Sequence, residues 1–230
     1  MNTNTIPKLK NLNKLSSAIH KHWIWECEEN FHKSCDYLQK INYCIQDLNT
    51  ALDDGLTASM KDVIFVIALV DWIKEAYGSI ESTLKEEIRK GFNYSCEEQL
   101  KKAAKYFTAI RSFVVAHPLS TSRHSDFGLD GSKICVDIRE NTSLICFTKE
   151  SDWYHLDIEG LHKNAKHVPF DFLLYFYDKD FYDMMFFQYM GCDFIDIFRV
   201  AELYIDKLHE LGRYLNKQKK KDWNRFRHYF

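Results

Sequence analysis

The sequence predicts a mainly α protein: an antiparallel bundle of long helices, a small three-stranded antiparallel β meander, and C-terminal helices. Three observations predict it. Apolar residues recur every three or four positions over most of the chain. Only 3 Pro and 8 Gly interrupt 230 residues, so little in the sequence breaks a helix. Between Pro118 and Pro169 the apolar period drops to two. With no repeat and no low-complexity linker, residues 1–230 read as a single domain. Its parts are a helical bundle core over 8–117, a loop and β meander over 118–168, and C-terminal helices with a basic tail over 169–230.

The first stripe runs from Leu9 through Ile19, Trp23, Phe31, Leu38 and Ile45 to Leu52, and Asp53-Asp54-Gly55 closes it. One helix of that length would measure about 65 Å, so a break is expected near Glu29–Asn30. The second stripe runs from Met60 to Ile88, with Thr57 as N-cap and Gly91 as C-terminal stop. The third runs from Leu100 to Val114, capped by Ser95 and ended by Pro118. Short polar turns between successive long helices suggest antiparallel neighbours.

The meander is expected at Ile134–Ile138, Ile145–Phe147 and Tyr154–Ile158, where apolar and polar residues alternate between turn residues. Phe170–Met190 reads as an aromatic-rich helical stretch, and a last stripe runs from Phe194 to Leu215.

Composition excludes several classes. Hydrophobic residues at 46% and charged residues at 28% rule out a mainly disordered or fibrous chain. The start lacks the apolar core of a secretory signal. The longest clean apolar run, Val63–Val70, is far short of the roughly 20 residues that span a bilayer. A cytoplasmic protein with no membrane partner is expected. The seven Cys form no CxxC pair, which suits reduced thiols used as small hydrophobes. His32 and Cys35 lie three apart, but two ligands do not make a zinc site, so neither a metal nor a cofactor is expected.

The sharpest local feature is Ile110-Arg111-Ser112-Phe113-Val114-Val115-Ala116-His117-Pro118. Arg111 lies four residues from both Phe107 and Val115, so it borders an apolar face where a bare guanidinium is costly. On a straight helix His117 would stand about 120° from Arg111. The proline after it ends the helix, so the chain can turn the imidazole back. A fixed cation beside a group that titrates near neutrality suits RNA phosphodiester cleavage.

That pattern, Arg-x5-His late in a long helix of an all-helical bundle, resembles the HEPN superfamily. The resemblance covers about residues 8–117. It implies a metal-independent endoribonuclease of a toxin–antitoxin or phage-defence system, with Arg111 and His117 catalytic and RNA as substrate. It also implies a homodimer whose two chains build the site, and an antitoxin or other regulatory protein as partner. Other members have lost catalysis, so a non-catalytic RNA- or nucleotide-binding or protein-interaction module stays open. Many active members carry Asn, Asp or His directly after the arginine. Ser112 stands there instead, as an auxiliary hydroxyl that can still hydrogen-bond a phosphate.

Four further groups complete the expected site. Asp71 borders the apolar stripe of its helix and could orient Arg111 through a bidentate pair. Arg123 and His124, in a polar stretch after the motif, could reach a phosphate. Lys219, Lys220, Lys221 and Arg225 belong to a C-terminal strip of net charge +6, which leaves −8 for residues 1–212. Trp223, Phe226, Tyr229 and Phe230 interleave with those charges, a composition that suits single-stranded nucleic acid.

Overall fold

A computed structural model of the chain describes residues 6–13, 15, 19, 24–116, 134–140, 153–156, 162–164, 171–178 and 187–226. Helices among the described residues include α1 (Glu28–Asp54), α2 (Met60–Thr83), α3 (Glu86–Gly91), α4 (Glu97–Arg111) and α5 (Phe194–Phe226). A π-helical turn, Ser112–Ala116, follows α4. Among the described residues five strands lie between it and α5: β1 (Ile134–Glu140), β2 (Trp153–Leu156), β3 (His162–Asn164), β4 (Phe172–Asp178) and β5 (Phe187–Cys192). The chain divides into two compact units. One, the helical unit, comprises Lys8–Thr50, Leu69–Glu98 and Ala201–Phe230; the other, the sheet unit, comprises Met1–Pro7, Ala51–Ala68 and Gln99–Val200.

In the helical unit the first expected helix is shortened from its front. Leu9, Leu12, Leu15 and Ile19 are buried as the stripe requires, but α1 begins only at Glu28. The residues around Leu9 and Leu12 are instead tied to α1 by side chains. Asn49 accepts from the Leu9 N–H at 2.8 Å and donates to its carbonyl at 3.0 Å, and Asn42 accepts from the Leu12 N–H at 2.9 Å. Asn42 and Asn49 are two helical turns apart, about 10 Å, which three residues of extended chain can span. The N–H groups of Leu9 and Leu12 are satisfied without a helix, and the same leucines still reach the core.

The second expected helix is cut in two. Thr83 Oγ1 donates to the Ile80 carbonyl, and Leu84 forms an isolated antiparallel bridge with Trp25. Lys85 N–H donates to the Ile24 carbonyl at 3.0 Å and Glu26 N–H to the Thr83 carbonyl at 3.3 Å. This pairing takes Leu84 and Lys85 out of helical geometry, and α3 restarts at Glu86. Gly91 ends α3 as expected.

Caps were legible to within two residues. The N-cap of α2 is Ser59, whose Oγ accepts from the Asp62 N–H at 3.1 Å. Thr57, the expected cap, donates both its N–H and its hydroxyl to the Asp62 carboxylate. Gly55 follows α1 at φ 83°, the left-handed conformation in which glycine carries no Cβ penalty.

In the sheet unit the three-stranded meander is not found. Strands do occur at two of its three expected places, β1 and β2, while residues 145–147 lie outside the described residues. Their pairing differs: the sheet order is β1-β4-β5-β2-β3. β1 runs antiparallel to β4 from Ile134↔Asp178 to Glu140↔Phe172. β4 and β5 are antiparallel, β5 and β2 parallel, β2 and β3 antiparallel. The partners β1 lacked locally come from Phe170–Met190, expected to be helical. Its run Phe172-Leu173-Leu174-Tyr175-Phe176-Tyr177 is aromatic-rich and has no polar face, which suits a strand more than an amphipathic helix. Among the described residues one helix, α5, follows. Its N-terminus is fixed by Asp171, whose carboxylate accepts from the Phe194 N–H at 2.9 Å, and by a Phe172–Phe194 ring contact at 5.3 Å.

Candidate functional site

The expected catalytic segment begins in α4, which buries Leu100, Ala103, Tyr106, Phe107, Ala109 and Ile110 on one face. That face brings Arg111 to the last position of the helix, half-buried. The chain then widens into the π-helical turn, with Ser112, Phe113 and Val114 buried and Val115 and Ala116 exposed. In a π turn hydrogen bonds run i→i+5, so the 100° step of an α-helix no longer relates Arg111 to the residues after it. The angle expected from a straight helix therefore does not carry over. Ser112 is 9% exposed and is buried rather than open to solvent.

His117, Arg123 and His124 lie outside the described residues. Lys219, Lys220, Lys221 and Arg225 lie in α5, whose backbone is helical to Phe226, and their side chains lie outside the described residues. The helical backbone places Arg213, Lys217, Lys221 and Arg225 at successive i+4 positions, one face of the helix over three turns. Arg213 and Lys217 are exposed. Asp71 belongs to the helical unit and Arg111 to the sheet unit. The Asp71 side chain is 13% exposed, with Lys74 Nζ 3.9 Å from its Oδ1.

Of the other reactive side chains, Cys192 and Tyr106 are buried in the sheet unit, and burial pushes both well above their ordinary pKa values. Burial also raises the Cys44 and Cys35 thiols. Such cysteines stay protonated near neutrality and serve as packing groups rather than nucleophiles. Among the described residues no group of three or more His, Cys, Asp or Glu could hold a metal ion. Among them, too, no helix is long and apolar enough to cross a membrane.

The helical unit holds a cleft of about 180 Å³ that sequence reasoning missed. Lys207 lines it, with a side chain only 8% exposed. The ammonium lies 2.9 Å from Glu97 Oε2 and 3.5 Å from Glu81 Oε1. It also sits 5.0 Å from the centre of the Tyr77 ring and 5.9 Å from that of Tyr94. Tyr77 donates its hydroxyl to Glu81 Oε1 at 3.1 Å, and Tyr94 donates to the Leu203 carbonyl at 3.2 Å. Burial, with the Glu81 carboxylate adding to it, drives the Tyr77 hydroxyl far above its usual range. Burial likewise pushes neighbouring Tyr204 up to about 12. Both remain neutral donors at any physiological pH. A signal for Lys207 was present: it stands three residues after Tyr204 and four before Leu211, inside an apolar stripe, where a cation needs a partner.

No family model matches the chain, and no curated protein and no solved structure matches it.

Proposed function

We propose that the chain is a HEPN-like, metal-independent endoribonuclease that acts in the cytoplasm as a homodimer, with Arg111 and His117 as its catalytic pair. One observation above all supports this reading. Arg111 closes α4 in a half-buried position, and the chain continues through a π-helical turn toward His117. Single π turns at α-helices are rare and frequently mark functional sites.

In this reading His117 accepts the proton of the attacking 2′-hydroxyl or supplies one to the leaving oxygen. Arg111 stabilises the charge that gathers on the phosphorane. Ser112 is auxiliary. Arg123, His124, Lys219, Lys220, Lys221 and Arg225 hold the RNA backbone. A toxin or phage-defence role follows from the resemblance, with an antitoxin or other regulatory protein restraining the activity.

A second reading is RNA binding without cleavage. It is favoured by the basic row Arg213, Lys217, Lys221 and Arg225 along α5, which needs no catalytic group to hold phosphates. A labelled oligoribonucleotide incubated with the purified chain in EDTA separates the two. Cleavage that disappears in His117→Ala supports the nuclease. Saturable binding with intact RNA supports the binding module. Neither cleavage nor binding removes both.

A further inference from the structure

We propose that the Lys207 cleft is a binding site for a small zwitterion with an apolar or aromatic side chain, of the α-amino acid class. The inference is independent of the RNA reading and rests on which charges in the cleft are already used. Lys207 is matched: Glu97 Oε2 is its close partner, and Glu81 Oε1 receives both Lys207 and the Tyr77 hydroxyl. That leaves Glu81 Oε2 on a side chain 46% exposed, with no hydrogen bond among the described residues. On the opposite sign, Arg89 lines the same cleft, is exposed, and has no ion-pair partner among the described residues. Asn93 also lines the cleft and is likewise exposed.

The charged lining groups, Glu81, Glu97, Arg89 and Lys207, sum to zero. A ligand of net charge would therefore leave one group uncompensated in a partly dry site. A ligand with one cation and one anion leaves none. Its ammonium sits at Glu81, its carboxylate takes the guanidinium of Arg89 and the amide of Asn93, and its side chain covers Phe92 and Leu84. Guanidinium suits a carboxylate because it offers two parallel N–H donors.

The cleft is also held in shape. Phe92 packs on Tyr214 with ring centres 5.7 Å apart, and a Cβ at Gly91 would meet the Tyr214 hydroxyl. Ser95 donates its N–H to Glu210 at 3.0 Å, which ties the segment after Tyr94 to α5.

Titration calorimetry of the full chain tests this with three probes: L-phenylalanine, phenethylamine, which lacks the carboxylate, and phenylpropionate, which lacks the ammonium. L-phenylalanine is expected to bind saturably with Kd at or below about 1 mM. Each truncated probe should bind at least about tenfold more weakly. In Arg89→Ala, L-phenylalanine should fall to the affinity of phenethylamine, while phenethylamine itself is unchanged. Glu81→Gln should do the same with respect to phenylpropionate. Arg89 is exposed, so its removal leaves the fold in place, which circular dichroism verifies. No saturable heat with L-phenylalanine up to about 10 mM overturns the proposal. So does equal binding of either truncated probe, or wild-type affinity in Arg89→Ala.

Discussion

Lys207 and Glu97 are unequal partners, because the lysine side chain is 8% exposed and the glutamate 35%. Removing Glu97 takes the nearer counter-charge from a buried ammonium and leaves it only Glu81 at 3.5 Å, whereas removing the lysine leaves carboxylates more open to water. Glu97→Ala should therefore lower unfolding free energy by about 1–3 kcal/mol, while Lys207→Met stays within about 1 kcal/mol of wild type. Urea denaturation of both variants checks the asymmetry. His209 gives a pH signature. Burial lowers its pKa, Lys10 and Arg213 push the same way, and Asp206 and a backbone hydrogen bond at Asn11 oppose them. Its Nε2 has no hydrogen-bond partner among the described residues. The unfolded chain takes up this proton near pH 6.5, before the folded one does. Stability should therefore fall as pH drops through about 6.5, and level off for this group below its folded pKa. His209→Gln should flatten denaturation midpoints over that window.

At the scale of the element, helix was legible wherever the apolar stripe had no competitor. α4 and the core of α1 lie where the spacing of Leu100 to Ile110 and of Leu38 to Leu48 put them. At Leu9, Leu12 and Leu84 burial follows the expected stripe while the backbone takes partners other than a helix. Leu9 and Leu12 are buried at helical spacing, yet Asn49 and Asn42 satisfy their backbones. Asn49→Ala removes both hydrogen bonds to Leu9 and should cost about 1–2 kcal/mol. Hydrogen exchange should quicken at the Leu9 amide and leave the amides of α4 unchanged. β4 was misread for a related reason. Its pairing partner β1 ends 31 residues before it begins, and no local signal reports so distant a pairing. The π-helical turn after Arg111 has no sequence signature at all, since Ser112-Phe113-Val114-Val115-Ala116 continues an ordinary helical pattern.

For the whole molecule, the charge distribution is the feature most directly readable from sequence: a chain of net −2 whose last 18 residues carry +6. The helical backbone of α5 to Phe226 turns part of that excess into a row, which composition alone could not do. If the row neutralises RNA phosphates, each lysine removed should reduce the salt dependence of binding. Lys217→Ala is expected to lower the slope of log K against log salt by about 0.7, with a similar loss for Lys221→Ala. Filter binding at several salt concentrations measures it, and an unchanged slope separates the row from RNA. The candidate nuclease site was legible only as residue types at a spacing. The Lys207 cleft was not legible as a whole, because Glu81, Arg89 and Asn93 meet Lys207 from a stretch of chain more than a hundred residues away in sequence.

The central claim is that Arg111 and His117 break RNA without a metal. Single-turnover cleavage of an end-labelled oligoribonucleotide in EDTA, by wild type, Arg111→Ala and His117→Ala, tests it most directly. The account predicts measurable cleavage by wild type, with a loss of about 10²-fold or more in each variant. Wild-type rates in both variants, or no cleavage by a folded wild-type chain, would contradict it.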